Sequence, residues 1–308
     1  MEGIIAYHNQ SNILKKSSSG GAFYALAQEV LRQQGVVFGA AFDSDGMVYH
    51  KCVENTEELF SLMGSKYVES RLEKTLFELK EQANAGRKVL FSGTPCQIKA
   101  VRKYMGTEKI NDQNVLLVDF ICHGTPEKRF WQDYLEMLQK RYGKLIGEIS
   151  FRDKRNGWRN YGIRAAFEKK EYYKSRYLDE YMFYFLNDYL LKDGCYQCPF
   201  RKQEEKASDI TLADAWQAPK NSEGTSLIFP NTDKGKRSID EIKDQIEIET
   251  VIEVPDTTEI SGSREKKEQF VRDYEKWGFS GKLKRKYMYG KKYYINVLKS
   301  VYSKLIKR

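Results

Sequence analysis

Between Ile4 and Gly143, short apolar runs alternate with stretches of helical period, and this rhythm limits the fold more than any other feature of the chain. "IIAY" (Ile4–Tyr7), "VVFGAAF" (Val36–Phe42), "KVLFSG" before Thr94 and "NVLLVDFIC" up to Cys122 have the length and apolarity of buried strands. "AFYALAQEVLRQQ" (Ala22–Gln34), "RLEKTLFELKEQANAG" closing on Gly86, and "EKRFWQDYLEMLQKRYG" read as amphipathic helices. Strands alternating with helices imply an α/β fold with a mixed, partly parallel sheet and flanking helices. From Glu148 the pattern changes. "EISFRDKRNGWRNYGIRAAFEKK" reads as strands and a turn, "DEYMFYFLNDYLLKDG" as a long apolar-aromatic helix, and "CYQCPF" as a loop after it. The expected division is therefore an α/β part over 1–145, a smaller α+β part over 146–260, and a basic helical tail over 261–308.

A chain of 308 residues is long enough for a substantial core, since chains of this size bury roughly 75% of their unfolded surface. The net charge of +9 is concentrated at one end. From Arg264 to Arg308 there are 15 Lys/Arg against 4 Asp/Glu, so the remainder is slightly acidic. A body without its own basic face is not expected to bind nucleic acid. In the tail, Tyr294, Val297, Leu298, Val301, Tyr302 and Leu305 fall on one face at helical spacing, which suits peripheral contact with an anionic membrane or docking on a partner. No signal peptide is recognisable, and no apolar run approaches the 20 or so residues that span a bilayer. The expected location is the cytoplasm, with the tail at the inner face of the membrane. In a reducing compartment five cysteines point to metal or redox chemistry before disulfides.

Two of those cysteines sit at matching corners. "FSGTPCQIKA" and "FICHGTPEKRF" each carry Gly-Thr-Pro between an apolar run and a helical stretch, with Cys96 after one triplet and Cys122 before the other. In each, Thr suits a helix N-cap and Pro the first helical position, so Thr94–Pro95 and Thr125–Pro126 are expected to open helices. Both corners would lie at strand C-terminal ends, where ligands gather in open α/β sheets. "GCYQCPF" adds Cys195 and Cys198 at chelating spacing. Four thiolates are enough for zinc or for a cubane cluster. One close pair with two distant singles fits a cluster held between two parts better than a structural zinc site, which usually has two close pairs. Cys52, in the strand-like "VYHKCV", reads as a packed hydrophobe.

Other stretches have an affinity for anions or rings. "KKSSSGGAFYAL" sets Ser18, Ser19, Gly20 and Gly21 before a helix, where free amides attract phosphate, and "GSKYVESR" sets Gly64 and Ser65 before Lys66 and Tyr67. "SFRDKRNGWRNYG" gathers Arg152, Lys154, Arg155 and Arg159 round Trp158, a cluster able to grip a planar anionic ligand. His123, beside Cys122, is a candidate proton carrier.

Taken in order, "SSSGGAF", "GSKYVES", "GTPCQI", "CHGTP", "FRDKRNGW" and "CYQCPF…SDITLADAW" resemble the coenzyme F420 hydrogenase/dehydrogenase beta-subunit family over about Ala6 to Trp216. The likeness is to short bacterial members from polysaccharide-biosynthesis gene clusters, without the N-terminal ferredoxin segment of longer relatives. It implies an oxidoreductase that moves electrons between a hydride carrier (F420 or another), FAD and a [4Fe–4S] cluster, with a redox partner protein beyond. Carried onto matching positions, Cys96, Cys122, Cys195 and Cys198 would hold the cluster. Ser18, Ser19, Gly20, Gly21, Gly64, Ser65, Lys66, Tyr67, Thr94 and His123 would contact the cofactor. Asp209 and Asp214 match the family's "SDI…D-W" stretch, and Ala213 and Ala215 stand where relatives carry Gly-Asp-Phe-Trp. A structural all-cysteine zinc module, or a cofactor-free scaffold docking through its tail on a membrane-associated glycan assembly, remain as alternatives.

Overall fold

The structure is a computed structural model, and it describes residues 2–72, 74–202, 205–216, 221–253 and 263–289. The tail helix expected over 291–308 lies outside the described residues.

Twelve strands form two sheets: β1 (Glu2–His8), β2 (Val36–Phe42), β3 (Val48–Val53), β4 (Ser70–Arg71), β5 (Val89–Ser92), β6 (Val115–Phe120), β7 (Leu145–Asp153), β8 (Gly162–Phe167), β9 (Glu171–Ser175), β10 (Ile210–Asp214), β11 (Ser226–Pro230) and β12 (Ile246–Glu253). The large sheet runs β12-β1-β11-β10-β6-β5-β2-β3-β4, and β7-β8-β9 form a separate antiparallel sheet. Within the large sheet β2, β5, β6 and β10 are parallel neighbours. β2, β5 and β6 are covered on both faces and so read as apolar runs rather than alternating ones.

The chain leaves this sheet after β6 and returns to it at β10. Residues 210–253 thus supply three strands to the sheet that begins the protein. The excursion carries β7–β9 and the helix Glu180–Leu186, and it packs through Trp131, Tyr134, Phe151 and Tyr181 into an aromatic core. Trp131 donates its Nε1–H to the Gly46 carbonyl at 2.7 Å, so the largest buried ring also has its polar edge satisfied. Helices Arg264–Trp277 and Gly281–Tyr287 bring Phe270, Tyr274 and Leu283 to the same core. The first half of the basic tail is thereby part of the body.

Parallel order fixes which ends meet. Phe91 faces Leu117 and Ser92 faces Val118 between β5 and β6, while Leu212 of β10 faces Phe120 of β6. The segments following β5, β6 and β10 therefore emerge side by side at one edge of the sheet. β1 is separated from β10 by the antiparallel β11, so it runs in the same sense and delivers Ser18–Gly21 to that edge too.

His50 on β3 links this edge to its neighbours. Its Nδ1 lies 2.7 Å from Ser70 Oγ, its Nε2 2.9 Å from the Ser92 carbonyl, and its ring stacks on Phe91 at 5.2 Å. The carbonyl requires Nε2–H, so Nδ1 accepts from Ser70 and the ring is neutral. Burial pushes its pKa down to about 4, so the unfolded chain binds a proton there that the folded chain refuses. The contribution to stability is complete above the unfolded value near 6.5. It is lost as pH falls toward 4, by about 3 kcal/mol in all. Urea titrations between pH 4 and 7 should show this loss in the native chain and its reduction in His50→Gln. An identical pH dependence in both would rule the assignment out.

Candidate functional site

The first corner is built as its residues dictate. Thr94 caps the helix Pro95–Thr107 in a reciprocal capping box with Gln97, and Pro95 occupies the first turn. Cys96 follows, exposed, with its Sγ 3.1 Å from Thr94 Oγ1. The second corner departs from expectation. Thr125 caps no helix, because Pro126 instead bridges to Leu191 and the next helix starts at Lys128 with Glu127 as its N-cap. The backbone there is held by Lys192 N–H to the Thr125 carbonyl at 2.9 Å and Glu127 N–H to the Leu190 carbonyl at 2.8 Å. Gly124 takes φ +143°, and an added Cβ would lie 2.9 Å from the Leu191 side chain, so the corner closes only on glycine.

This stitching brings the Cys-x-x-Cys segment to the sheet edge. Cys195 Sγ accepts the Thr125 N–H at 3.3 Å. Burial pushes the Cys122 thiol up to about 12, with Cys96 and Cys195 near enough to add to the rise while the Gly124 N–H and Arg201 oppose it. Cys198 is raised by burial as well, opposed by the Phe200 N–H, and it feels both Cys96 and Cys195. The four predicted thiols are therefore electrostatic neighbours, each with a hydrogen-bonding group beside it. Among the described residues, no three His, Cys, Asp or Glu side chains stand close enough to hold a single metal ion. Cys52 is a partly buried packing residue on β3, its thiol pushed up to about 12 by burial.

The two loops expected to contact a nucleotide also meet. Ser65 N–H donates to Ser18 Oγ at 2.5 Å, and Trp158 Nε1–H donates to the Ser18 carbonyl at 3.0 Å. Ser19 Oγ–H bonds the Thr225 carbonyl at 2.7 Å. Gly20 and Gly21 turn out to be packing glycines: Gly20 lies so close to β11 that a Cβ would sit 2.4 Å from the Ser226 nitrogen, and Gly21 opens the helix Ala22–Arg32. Gly64 faces open space. Lys66 Nζ donates to the Leu62, Met63 and Gly64 carbonyls at 2.9–3.2 Å, and burial pushes its pKa down to about 7. The Tyr67 ring stacks on Phe185 at 4.8 Å, and His123 meets the same Phe185 edge-on at 4.9 Å. An unbroken run of rings thus joins the cysteine corner to the Ser18–Ser65 cradle.

His123 Nε2 lies 2.9 Å from Asp188 Oδ1, a buried carboxylate that no sequence spacing had suggested. The basic cluster resolves into separate duties. Lys154 Nζ donates to the Leu14, Ser19 and Glu223 carbonyls, tying the loops together. Arg155 pairs with Asp153 and Glu171 at the surface, and Arg159 bonds the Trp216 carbonyl. Arg152 alone turns inward, to Asp214. Asp209 has a structural task described below. A cavity of about 620 Å³ opens at the opposite edge of the sheet, lined by Arg102, Asp112, Asp209 and Lys234 among others. Those four charges pair with one another, and the cavity contains none of the thiols.

Comparison with known proteins agrees with this arrangement. No curated protein matches the chain. Its fold is similar to a chain of the F420-reducing [NiFe] hydrogenase complex from Methanosarcina barkeri, with a TM-score of 0.57 and 18% identity over 80% of this chain and 81% of that one. The sequence profile for the C terminus of the coenzyme F420 hydrogenase/dehydrogenase beta subunit matches residues 86–255, more than half of the chain and inclusive of all four clustered cysteines. On that match the chain belongs to the coenzyme F420 hydrogenase/dehydrogenase beta-subunit family.

Proposed function

We propose that the protein is a flavin- and iron–sulfur-dependent oxidoreductase that exchanges hydride with F420 or another carrier and passes single electrons to a redox partner protein. The observation that carries this reading is the placing of Cys96 and Cys122 just after the parallel neighbours β5 and β6, with the Thr125 N–H on Cys195 Sγ bringing the Cys-x-x-Cys segment to the same edge. Four thiols there make a donor set suited to a [4Fe–4S] cluster. Thr125 N–H reaches Cys195 at 3.3 Å, while Gly124 and Phe200 N–H groups act on Cys122 and Cys198, and hydrogen bonds to ligand sulfurs are a lever on cluster potential.

FAD, when bound, supplies conversion between two-electron and one-electron transfer. Ser18, Ser65, Lys66 and Tyr67 would hold it, since they form a cradle joined by packed rings to the cysteine corner. Lys66 donates to the Leu62, Met63 and Gly64 carbonyls and so holds the loop that carries Ser65 and Tyr67 in place beside the nucleotide. His123, oriented by Asp188, can hold a proton beside the cage. Arg201 Nη2–H donates to the His123 carbonyl at 2.7 Å and keeps a positive charge near Cys122 and Cys198. The reading extends to a cytoplasmic protein of polysaccharide biosynthesis with its tail against the inner membrane face, on the strength of the sequence resemblance and the tail's composition.

Anaerobically purified protein should be yellow-brown, with flavin and with iron and acid-labile sulfide in equal amounts. A colourless product carrying stoichiometric zinc would replace this reading with the structural zinc module.

A further inference from the structure

Arg152 on β7 is 7% exposed, and its planar group is packed among aromatic rings. Tyr161 lies against it at 4.5 Å and Trp216 at 5.2 Å, measured to ring centroids. One in-plane edge is occupied: Nη1–H donates to Asp214 Oδ2 at 2.7 Å. Nε and Nη2, which form the side-on fork of a guanidinium, make no well-aligned hydrogen bond among the described residues although both are buried, and the Tyr67 hydroxyl, like Asp214, is close enough to act on the guanidinium. Buried donors left without good partners are destabilising, so packing alone gives no reason to keep arginine here. The charged or titratable groups acting on it are Tyr67, Asp214, Tyr161 and the Lys154 ammonium. Trp216 stacks on Trp158 at 4.5 Å, and Trp158 holds the Ser18 carbonyl, so the fork belongs to the same rigid assembly as the cradle.

A fork of two parallel N–H groups fits a planar edge with two acceptors side by side. Asp214 already neutralises the guanidinium, so the pair is poorly suited to retaining a permanent dianion. It suits a group that is neutral in one state and anionic in another. The pyrimidine edge of a flavin is such a group. Hydride arriving at N5 brings two electrons and one proton, and leaves one negative charge spread over N1 and C2=O. When the two electrons depart singly and the proton leaves N5, the ring is neutral again.

We propose that the Arg152 Nε–Nη2 fork receives the N1–C2=O edge of the flavin and stabilises the negative charge that edge carries after reduction. The proposal rests on the flavin reading above. Arg152 transfers no proton; it contributes fixed N–H donors next to the reacting ring, and hydrogen bonds to the ring are one of the recognised ways a protein tunes a flavin.

The test uses the full chain loaded anaerobically with FAD, with sulfite as the probe. Sulfite adds at N5 of oxidised flavin and leaves the same charge on the N1–C2=O edge, so its affinity, read by loss of flavin absorbance, reports the stabilisation without turnover. Arg152→Gln should still bind FAD but hold sulfite at least tenfold more weakly. Its flavin potential should fall by about 30 mV for each tenfold loss in a two-electron couple. Arg152→Lys, which keeps the charge opposite Asp214 but lacks the fork, should fall between, and it serves as the variant if the Gln form does not fold. Arg155→Gln on the same turn should match the native chain. FAD-loaded Arg152 variants with native sulfite affinity and native potential would overturn the proposal and leave the flavin reading intact. A native chain that takes up no flavin would overturn both.

Discussion

Cys195→Ser is expected to leave the protein without its cluster, with iron and sulfide near zero and the brown shoulder gone, whereas Cys52→Ser loads like the native chain. Both residues are partly buried cysteines, so burial alone does not separate them. Their surroundings do. Cys195 Sγ receives the Thr125 N–H and acts on Cys122 and Cys198, so it stands beside two of the other proposed ligands. Cys52 lies on β3 among apolar neighbours, and the charges that act on it are Glu54, Glu78, Arg87 and Glu58. Serine in place of Cys195 should not unfold the segment, because the Pro126–Leu191 bridge and the Lys192–Thr125 hydrogen bond hold it without the thiol. Iron and sulfide analysis, with circular dichroism as the check on folding, decides the matter. Equal loading of the two variants would remove the ligand assignment.

Asp209→Ala is expected to lower unfolding free energy by about 3–5 kcal/mol without touching the cage, on the scale set for breaking a buried charged network. Asp209 is 1% exposed and stands at the edge of the sheet opposite the thiols, just before β10. Its Oδ2 accepts the buried Leu117 N–H of β6 at 2.9 Å, and its Oδ1 accepts from Thr232 Oγ1 at 2.9 Å. Lys234 at 3.3 Å and Arg102 at 3.5 Å compensate the charge. Alanine leaves a strand amide and two cations short of an acceptor at once. A urea midpoint that falls while the slope stays constant would confirm a loss of stability rather than a change in the unfolded chain. A loss below about 1 kcal/mol would show that water replaces the carboxylate, and the network would then carry far less than its burial implies.

The parallel strands were legible because burial on both faces writes itself as continuous apolar runs: Val36–Phe42 is expected and observed with the same bounds. The first corner was legible for a local reason, since Thr94, Pro95 and Gln97 carry their capping instructions within four residues. Where tertiary contacts decide, the reading failed. The long helix expected from "DEYMFYFLNDYLLKDG" stops at Leu186, because Asp188 takes φ +66° and its carboxylate and carbonyl are engaged by His123 and Tyr196. Thr125–Pro126 has the same letters as Thr94–Pro95 but is recruited into a bridge with Leu191, a partner 65 positions away that no local rule exposes. The return of residues 210–253 to the first sheet was hidden for a similar cause: strand pairing between distant segments leaves no mark on either one alone. Arg152 was visible as one cation among four, yet only its neighbours in space single it out.

The backbone bridge between Pro126 and Leu191 has a consequence for assembly. It is made of carbonyls and amides, so the polypeptide itself holds the Cys-x-x-Cys segment at the sheet edge. If the proposed cluster is bound there, its site can be shaped first and filled later, in contrast to small zinc folds that collapse into shape only around their ion.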